Sequence, residues 1–395
     1  MAHVFRQASW VLKWIELLPV AEVAPTIRFA ISKGAVQMLG DIALMPRIQR
    51  QIQFNEQFPA FIGTLREYAT FPRAVRHLQK AIEKCTSPII DTVASEWTRK
   101  DFIVTDVMRK IDLCSQFLPK EKRLAICDNP TVCQHGGMKR FKQAKTCSKC
   151  HSVVYCSRDC QARDWGALHH LECRRMHREY LERKHDEAFY SHGTRAFQVS
   201  VLVYFYETYM FSFLAARPRF GKAGQVVAVL SDLQHAPAGT TRFQPFSDWV
   251  RATGHLVPKH KRNRLFELTK RFSSQGRTHD SAEIGQLCLL HGIFGMNELD
   301  YNVVALLRHV RNTVPHHPGR LPSTQELEKA TNFANRDPSK HESDYRVEET
   351  LHFTSPYQKQ DQDGSTSQST QSFANFFAMH GIPMPAAGDG SHLFT

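Results

Sequence analysis

The chain has 395 residues, 42% of them hydrophobic and 23% charged, with a formal net charge of +13. That balance excludes a wholly disordered protein, and the length allows two or three domains. A basic excess suits nucleic acid, an anionic membrane surface or an acidic partner, but with no long single-sign block it reads as a mildly basic solvated surface.

The first twenty residues contain Lys13 and Glu16 inside the apolar stretch, so no secretory signal is read there. The ten cysteines are therefore expected in a reducing compartment, cytoplasmic or nuclear, where clustered thiols hold metal more often than they form disulfides. Residues 1–122 are predicted to be helical. Pro25, Pro46, Pro59, Pro72 and Pro88 punctuate apolar residues that recur every three or four positions, and proline is well placed in the first turn of a helix. The basic tract 119–123 is read as a solvated linker ahead of residues 127–173, which hold seven of the ten cysteines.

Residues 174–335 are predicted to form a second mostly helical region with one small strand pair. A charged helix leaves the cysteine cluster, and the apolar run 197–216 is read as a buried helix, since it carries Gln198, Ser200, Glu207 and Thr208. Residues 225–233 fit a buried strand or a helix; the stretches beginning at Pro245, Lys261 and Leu299 fit amphipathic helices. The basic tract 259–264 is taken as a solvated helix entrance, with a nuclear import signal or a phosphate contact as alternatives. Residues 336–395 are too polar to repay ordering entropy and are expected to be a disordered tail. Near its end Phe373, Phe376 and Phe377 would share a helical face and could dock on a partner.

The chemistry lies in the cluster. Zinc takes four tetrahedral nitrogen or sulfur ligands, and short spacings let two thiolates reach one ion. Cys147 and Cys150 form such a pair, as do Cys156 and Cys160, the latter on the first turn of a helix with Ser157 near its N-cap. His169 and Cys173 lie one helical turn apart and face the same way. Cys127 and Cys133 bring the set to seven cysteines and one histidine, enough for two filled sites with no position open for catalytic water. Cys85, Cys114 and Cys288 lie far from the cluster and singly, as core residues do.

The order C-S-K-C, Y-C, C-Q, W, then H and C resembles the MYND-type zinc finger over residues 127–173. The resemblance implies two structural zinc ions in an interleaved arrangement: Cys127, Cys133, Cys156 and Cys160 on one, Cys147, Cys150, His169 and Cys173 on the other. Two spacings depart from the family pattern. Five residues separate Cys127 from Cys133 where the family commonly has two, leaving His135 as an alternative to Cys133. Three residues separate Trp165 from His169 where the family commonly has two, leaving His170 as an alternative to His169, although His169 keeps the expected gap to Cys173.

The same resemblance implies an interaction module that takes proline-containing peptides of a protein partner into a groove at Ser148, Tyr155, Gln161 and Trp165, with Trp165 packing the finger's own core as the alternative role. The chain is thus expected to be mainly α, with helical regions flanking a small module of short β-hairpins plus helix, and to act as a non-enzymatic adaptor. Some proteins of this type carry the finger inside a SET methyltransferase domain, but the Asn-His pair of that domain does not occur after Cys173. Nucleic-acid binding through Lys139, Arg140, Lys142, Lys145 and Lys149 is the remaining alternative.

Overall fold

The computed structural model describes residues 29, 67–84, 110–119, 123–130, 133, 144–185, 191–216, 227–232, 240–275, 287–296, 299–310 and 345–356. Most of the expected N-terminal helical region lies outside these residues. The part described is helical: α1 spans Pro72–Lys84, with the proline in its first turn, and residues 110–115 are helical too.

A small hairpin, β1 (Lys145–Thr146) and β2 (Val154–Tyr155), precedes α2 (Arg158–Asp164), a π turn (Trp165–His169) and α3 (His170–His185). Then α4 (His192–Ala216) runs into the body. Its residues Phe197, Val199, Val201, Leu202, Val203 and Phe205 are all buried, as expected for a helix that is apolar all round. No helix among the described residues is long and apolar enough to cross a membrane.

The body is organised by a sheet in the order β4-β3-β5-β6-β7, comprising β3 (Val227–Asp232), β4 (Thr240–Pro245), β5 (Leu287–Met296), β6 (Leu299–His309) and β7 (Tyr345–Pro356). Only β3 and β5 pair in parallel; the other neighbours are antiparallel. Helix α5 (Phe246–Gly254), a 3-10 turn (Lys259–Lys261) and α6 (Arg262–Gln275) fall between β4 and β5.

Helix is the commoner element, as expected, but a central sheet takes the place of the single small strand pair. Residues 299–309 are a strand and not an amphipathic helix. Their alternate side chains serve two cores: Tyr301, Val303, Ala305 and Leu307 pack with α4, while Val304 and Leu306 pack with Trp249 of α5 and Leu265, Leu268 and Phe272 of α6. A strand covered on both faces presents a continuous apolar run, which periodicity does not separate from a buried helix. The expected tail also begins too early, because Tyr345–Pro356 within it is the edge strand β7, with Leu351 and Phe353 in the second core. Residues 357–395, including Phe373, Phe376 and Phe377, lie outside the described residues.

Two details, one apolar and one polar, fix the layers. Gly292 of β5 faces Leu202, and a β-carbon there would come within 3.0 Å of its methyl carbon, so the glycine allows α4 to sit close on the sheet. On the opposite face Trp249 Nε1 donates to His291 Nδ1 (3.1 Å), His291 Nε2 lies 2.9 Å from Asn302 Oδ1, and Asn302 Nδ2 donates to Ser355 Oγ (2.9 Å). This chain links α5 to three adjacent strands and satisfies polar groups that would otherwise be costly to bury.

Candidate metal centre

The finger is assembled by short-range backbone geometry before any ion is considered. β1 and β2 pair Lys145 with Tyr155 and Thr146 with Val154. At the end of the hairpin Cys147 N donates to Val153 O (3.1 Å) and His151 N to Cys147 O (2.9 Å), closing a tight turn that places Cys147 and Cys150 side by side. His151 completes it with a left-handed φ of 53°, a conformation that histidine visits more readily than most residues. Ser157 caps α2 as expected, its hydroxyl accepting from Cys160 N at 3.1 Å, and the first turn brings the sulfurs of Cys156 and Cys160 to 3.4 Å.

The eight expected ligands gather into two sets of four: Cys127, Cys133, Cys156 and Cys160; and Cys147, Cys150, His169 and Cys173. Within each set the ligand atoms lie within 4.8 Å of one another. A tetrahedral zinc with Zn–S near 2.3 Å and Zn–N near 2.0–2.1 Å requires sulfur–sulfur edges of about 3.8 Å and sulfur–nitrogen edges of about 3.6 Å. The observed edges are 3.7 Å for Cys133–Cys160, 3.9 Å for Cys147–Cys173 and 3.5 Å for Cys150 Sγ to His169 Nε2, with Cys156 drawn closer at 3.4 Å to Cys160 and 3.2 Å to Cys133. The donor sets thus fit two structural zinc sites, interleaved along the chain and each filled by protein ligands.

Both spacing departures have a structural outcome. Cys133 belongs to the four-sulfur set, and His135 lies outside the described residues. At the other end the chain leaves α2 through a π turn, whose wider winding absorbs one added residue, so His169 still points into the site four positions after Trp165. His170 is exposed instead, its Nδ1 2.6 Å from Trp165 O. His169 is fully buried; burial, then Arg264, push its pKa down to about 4, which keeps the imidazole neutral as a metal ligand requires.

The thiols behave as a crowded set. Burial raises Cys156 to about 12, reinforced by Cys133 and Cys160; Cys150 is also raised by burial. Cys147 moves the other way, because the backbone N–H groups of Cys150 and Lys149 outweigh its burial. Loading with zinc therefore displaces protons, and affinity falls as pH falls.

The finger is also wired into the body by ions that sequence reasoning missed. Three carboxylates next to key finger positions are buried: Asp128 after Cys127, Asp164 before Trp165 and Glu172 before Cys173. Arg264 of α6 answers them together. Its Nη2 donates to both oxygens of Asp164 (3.0 and 2.8 Å), its Nε to Glu172 Oε2 (2.7 Å) and its Nη1 to Asp128 O (2.7 Å).

Arg195 of α4 pairs with Asp128 and donates to Ser152 O at 2.7 Å, while Lys261 donates to Glu179 Oε2 at 3.0 Å. Burial would raise the Asp128 carboxyl, but Arg195 and then Arg264 hold it below its usual value. The tract 259–264 is consequently only partly the solvated helix entrance expected: Lys259 is exposed, but Lys261 is buried against Glu179 of α3 and Arg264 against the finger. The only sequence signal was the density of cations in one tract and of carboxylates beside ligands in another. The linker expected at 119–123 likewise ends in Arg123, which donates to Phe117 O, Leu118 O and Gly193 O.

Of the expected groove residues, Trp165 is 47% exposed, Ser148 is exposed and Gln161 half-buried. Tyr155 is different: it is wholly buried and its hydroxyl donates to Asp164 Oδ2 at 2.7 Å. It supports the surface from beneath and offers no ring to a ligand. Among the basic residues considered for nucleic acid, Lys139, Arg140 and Lys142 lie outside the described residues; Lys149 is exposed and Lys145 half-buried. Cys114 is a core residue as expected, and Cys288 packs at the edge of the same core.

Comparison with known proteins agrees with this geometry. The MYND finger family matches residues 127–173. An F-box protein of Arabidopsis thaliana is 42% identical over 55 residues, which is 13% of this chain and 16% of the plant protein, so the likeness spans well under a fifth of either. No solved structure matches. With the eight ligands in two interleaved tetrads and the family match over the same residues, the chain contains a MYND-type zinc finger at residues 127–173.

Proposed function

We propose that the protein is a non-enzymatic adaptor, cytoplasmic or nuclear, that captures a proline-containing peptide of a partner protein on the exposed face of its finger. The observation that carries this reading is Trp165. An indole 47% exposed, held at a π turn with its ring edge-on to the His169 ring at 5.7 Å, offers apolar area and one N–H donor on a rigid base. A polyproline-type peptide is an apt ligand for such a surface because little conformational entropy remains for it to lose. Ser148 and Gln161 supply polar groups on the same module, and Tyr155 acts through Asp164 by bracing the turn that bears Trp165.

Both metal sets are filled by side chains, so the ions support the fold and leave the module's work to its surface. Binding of labelled proline-rich peptides to the full zinc-loaded chain, followed by fluorescence anisotropy, tests the reading. Trp165→Ala is expected to weaken binding at least tenfold, as loss of a central aromatic anchor does, while both zinc ions are retained. Salt-steep DNA binding without peptide capture would overturn it in favour of a nucleic-acid role.

A further inference from the structure

The cations that anchor the finger also surround a cavity of about 30 Å³ at the seam between finger and sheet. Asp128, Ser152, Val153 and Met176 of the finger and its exit helix line one side, and Thr350 to Thr354 of β7 line another. Its charged lining is one-sided: Arg183, Arg195, Lys261 and Arg264 against the single carboxylate of Asp128.

Carboxylates further back compensate part of this charge, Glu179 for Lys261, Asp164 and Glu172 for Arg264. Among the described residues Arg183 donates to a hydroxyl, Ser152 Oγ at 3.3 Å, and no described carboxylate pairs with it. Two further polar atoms on lining residues are buried without a hydrogen-bond partner among the described residues, Arg195 Nε and Thr350 Oγ1, on side chains more than nine-tenths buried. Unsatisfied donors are costly to bury, and a ligand that accepts several hydrogen bonds at once relieves that cost.

We infer that this seam is a binding site for a small oxyanion of the phosphate class, held by Arg183, the Nε of Arg195 and the hydroxyl of Thr350. A tetrahedral oxyanion suits the site because it accepts from several directions and carries the charge that guanidinium groups recognise. The field at the cavity is already positive: burial first, then Arg195 and Lys261, depress the His352 imidazole that also lines it. The cavity has room for more than one water-sized group, and its walls come from the finger and β7, so an ion seated there would tie the two together. This site is separate from the Trp165 surface and does not depend on peptide capture.

The test uses the full zinc-loaded chain. Thermal melting is followed against inorganic phosphate, O-phosphoserine and acetate, each at an ionic strength held constant with sodium chloride. Phosphate is expected to raise the midpoint saturably at millimolar concentration or below, with apparent affinity at least fivefold weaker in Arg183→Gln and in Thr350→Val. Both positions permit folding controls, since Arg183 is half-buried and valine is isosteric with threonine. An equal effect of O-phosphoserine identifies a phosphate group carried on a peptide as a competent ligand; an effect of inorganic phosphate alone identifies the free ion. Stabilisation no greater than that of chloride, or an equal phosphate response in wild type and both variants, would overturn the assignment.

Discussion

Replacing Arg264 with methionine keeps an apolar stem of similar length and removes the guanidinium that joins α6 to the finger. The side chain is 6% exposed, Asp164 is 0% and Glu172 is 2%, so the substitution leaves two buried carboxylates without their main counter-charge and Asp128 O without its Arg264 donor. Breaking a buried pair by removing one partner is worth about 3–5 kcal/mol, a large share of the roughly 5–15 kcal/mol that holds a typical domain. The expected result is a loss of that size in urea unfolding followed by circular dichroism, with zinc released to a chromophoric chelator at lower urea than in wild type.

The pH dependence of that loss gives a sharper check. Burial already raises the carboxyls of Asp164 and Glu172 while Arg264 opposes it. In Arg264→Met that opposition is gone, so the folded-state values rise further above the unfolded ones. Stability tied to such raised groups is present at low pH and is lost as pH rises through the folded-state value. The deficit relative to wild type should therefore shrink as pH is lowered. A loss below about 1 kcal/mol, or one that does not shrink as pH is lowered, would refute the claim that Arg264 neutralises the finger from the body.

Two other outcomes follow from the same contacts. Mass spectrometry under native conditions should find two zinc ions per chain and one in Cys147→Ser, with the finger destabilised because metal binding and folding are coupled; a single ion in the wild-type protein would mean that the set containing Cys133 does not close. For His291, burial lowers the folded-state pKa to about 4, and a protonated ring could not accept from Trp249. Its contribution is present above about pH 6.5 and is lost as pH falls towards 4, a window worth about 3 kcal/mol at most. His291→Gln should flatten that segment of the stability profile, and an unchanged slope between pH 6.5 and 4 would exclude the histidine as its source.

The metal-ligating pairs were legible in the sequence, while their grouping into two sites and the choice of Cys133 and His169 came from the structure. Ligand spacing is a local quantity: Cys147 to Cys150, Cys156 to Cys160 and His169 to Cys173 are each set by a single turn of chain, and Ser157 as a cap is legible for the same reason. The apolar run 197–216 was equally legible as one to be buried, and its residues 197–205 are so.

What the sequence could not decide was anything that depends on a partner distant along the chain. Residues 299–309 carry the same apolar run as a helix or as a strand covered on both faces, and only the two packed cores select the strand. Residues 345–356 look polar, yet β6 supplies their hydrogen bonds and α6 covers Leu351 and Phe353. Arg264 lies 100 positions from Asp164 and 136 from Asp128, and a lysine- and arginine-rich tract resembles a solvated surface until buried carboxylates are brought to it. Desolvation sets the outcome there. Charges that would be of little consequence in water become fixed partners once the fold removes water from around both.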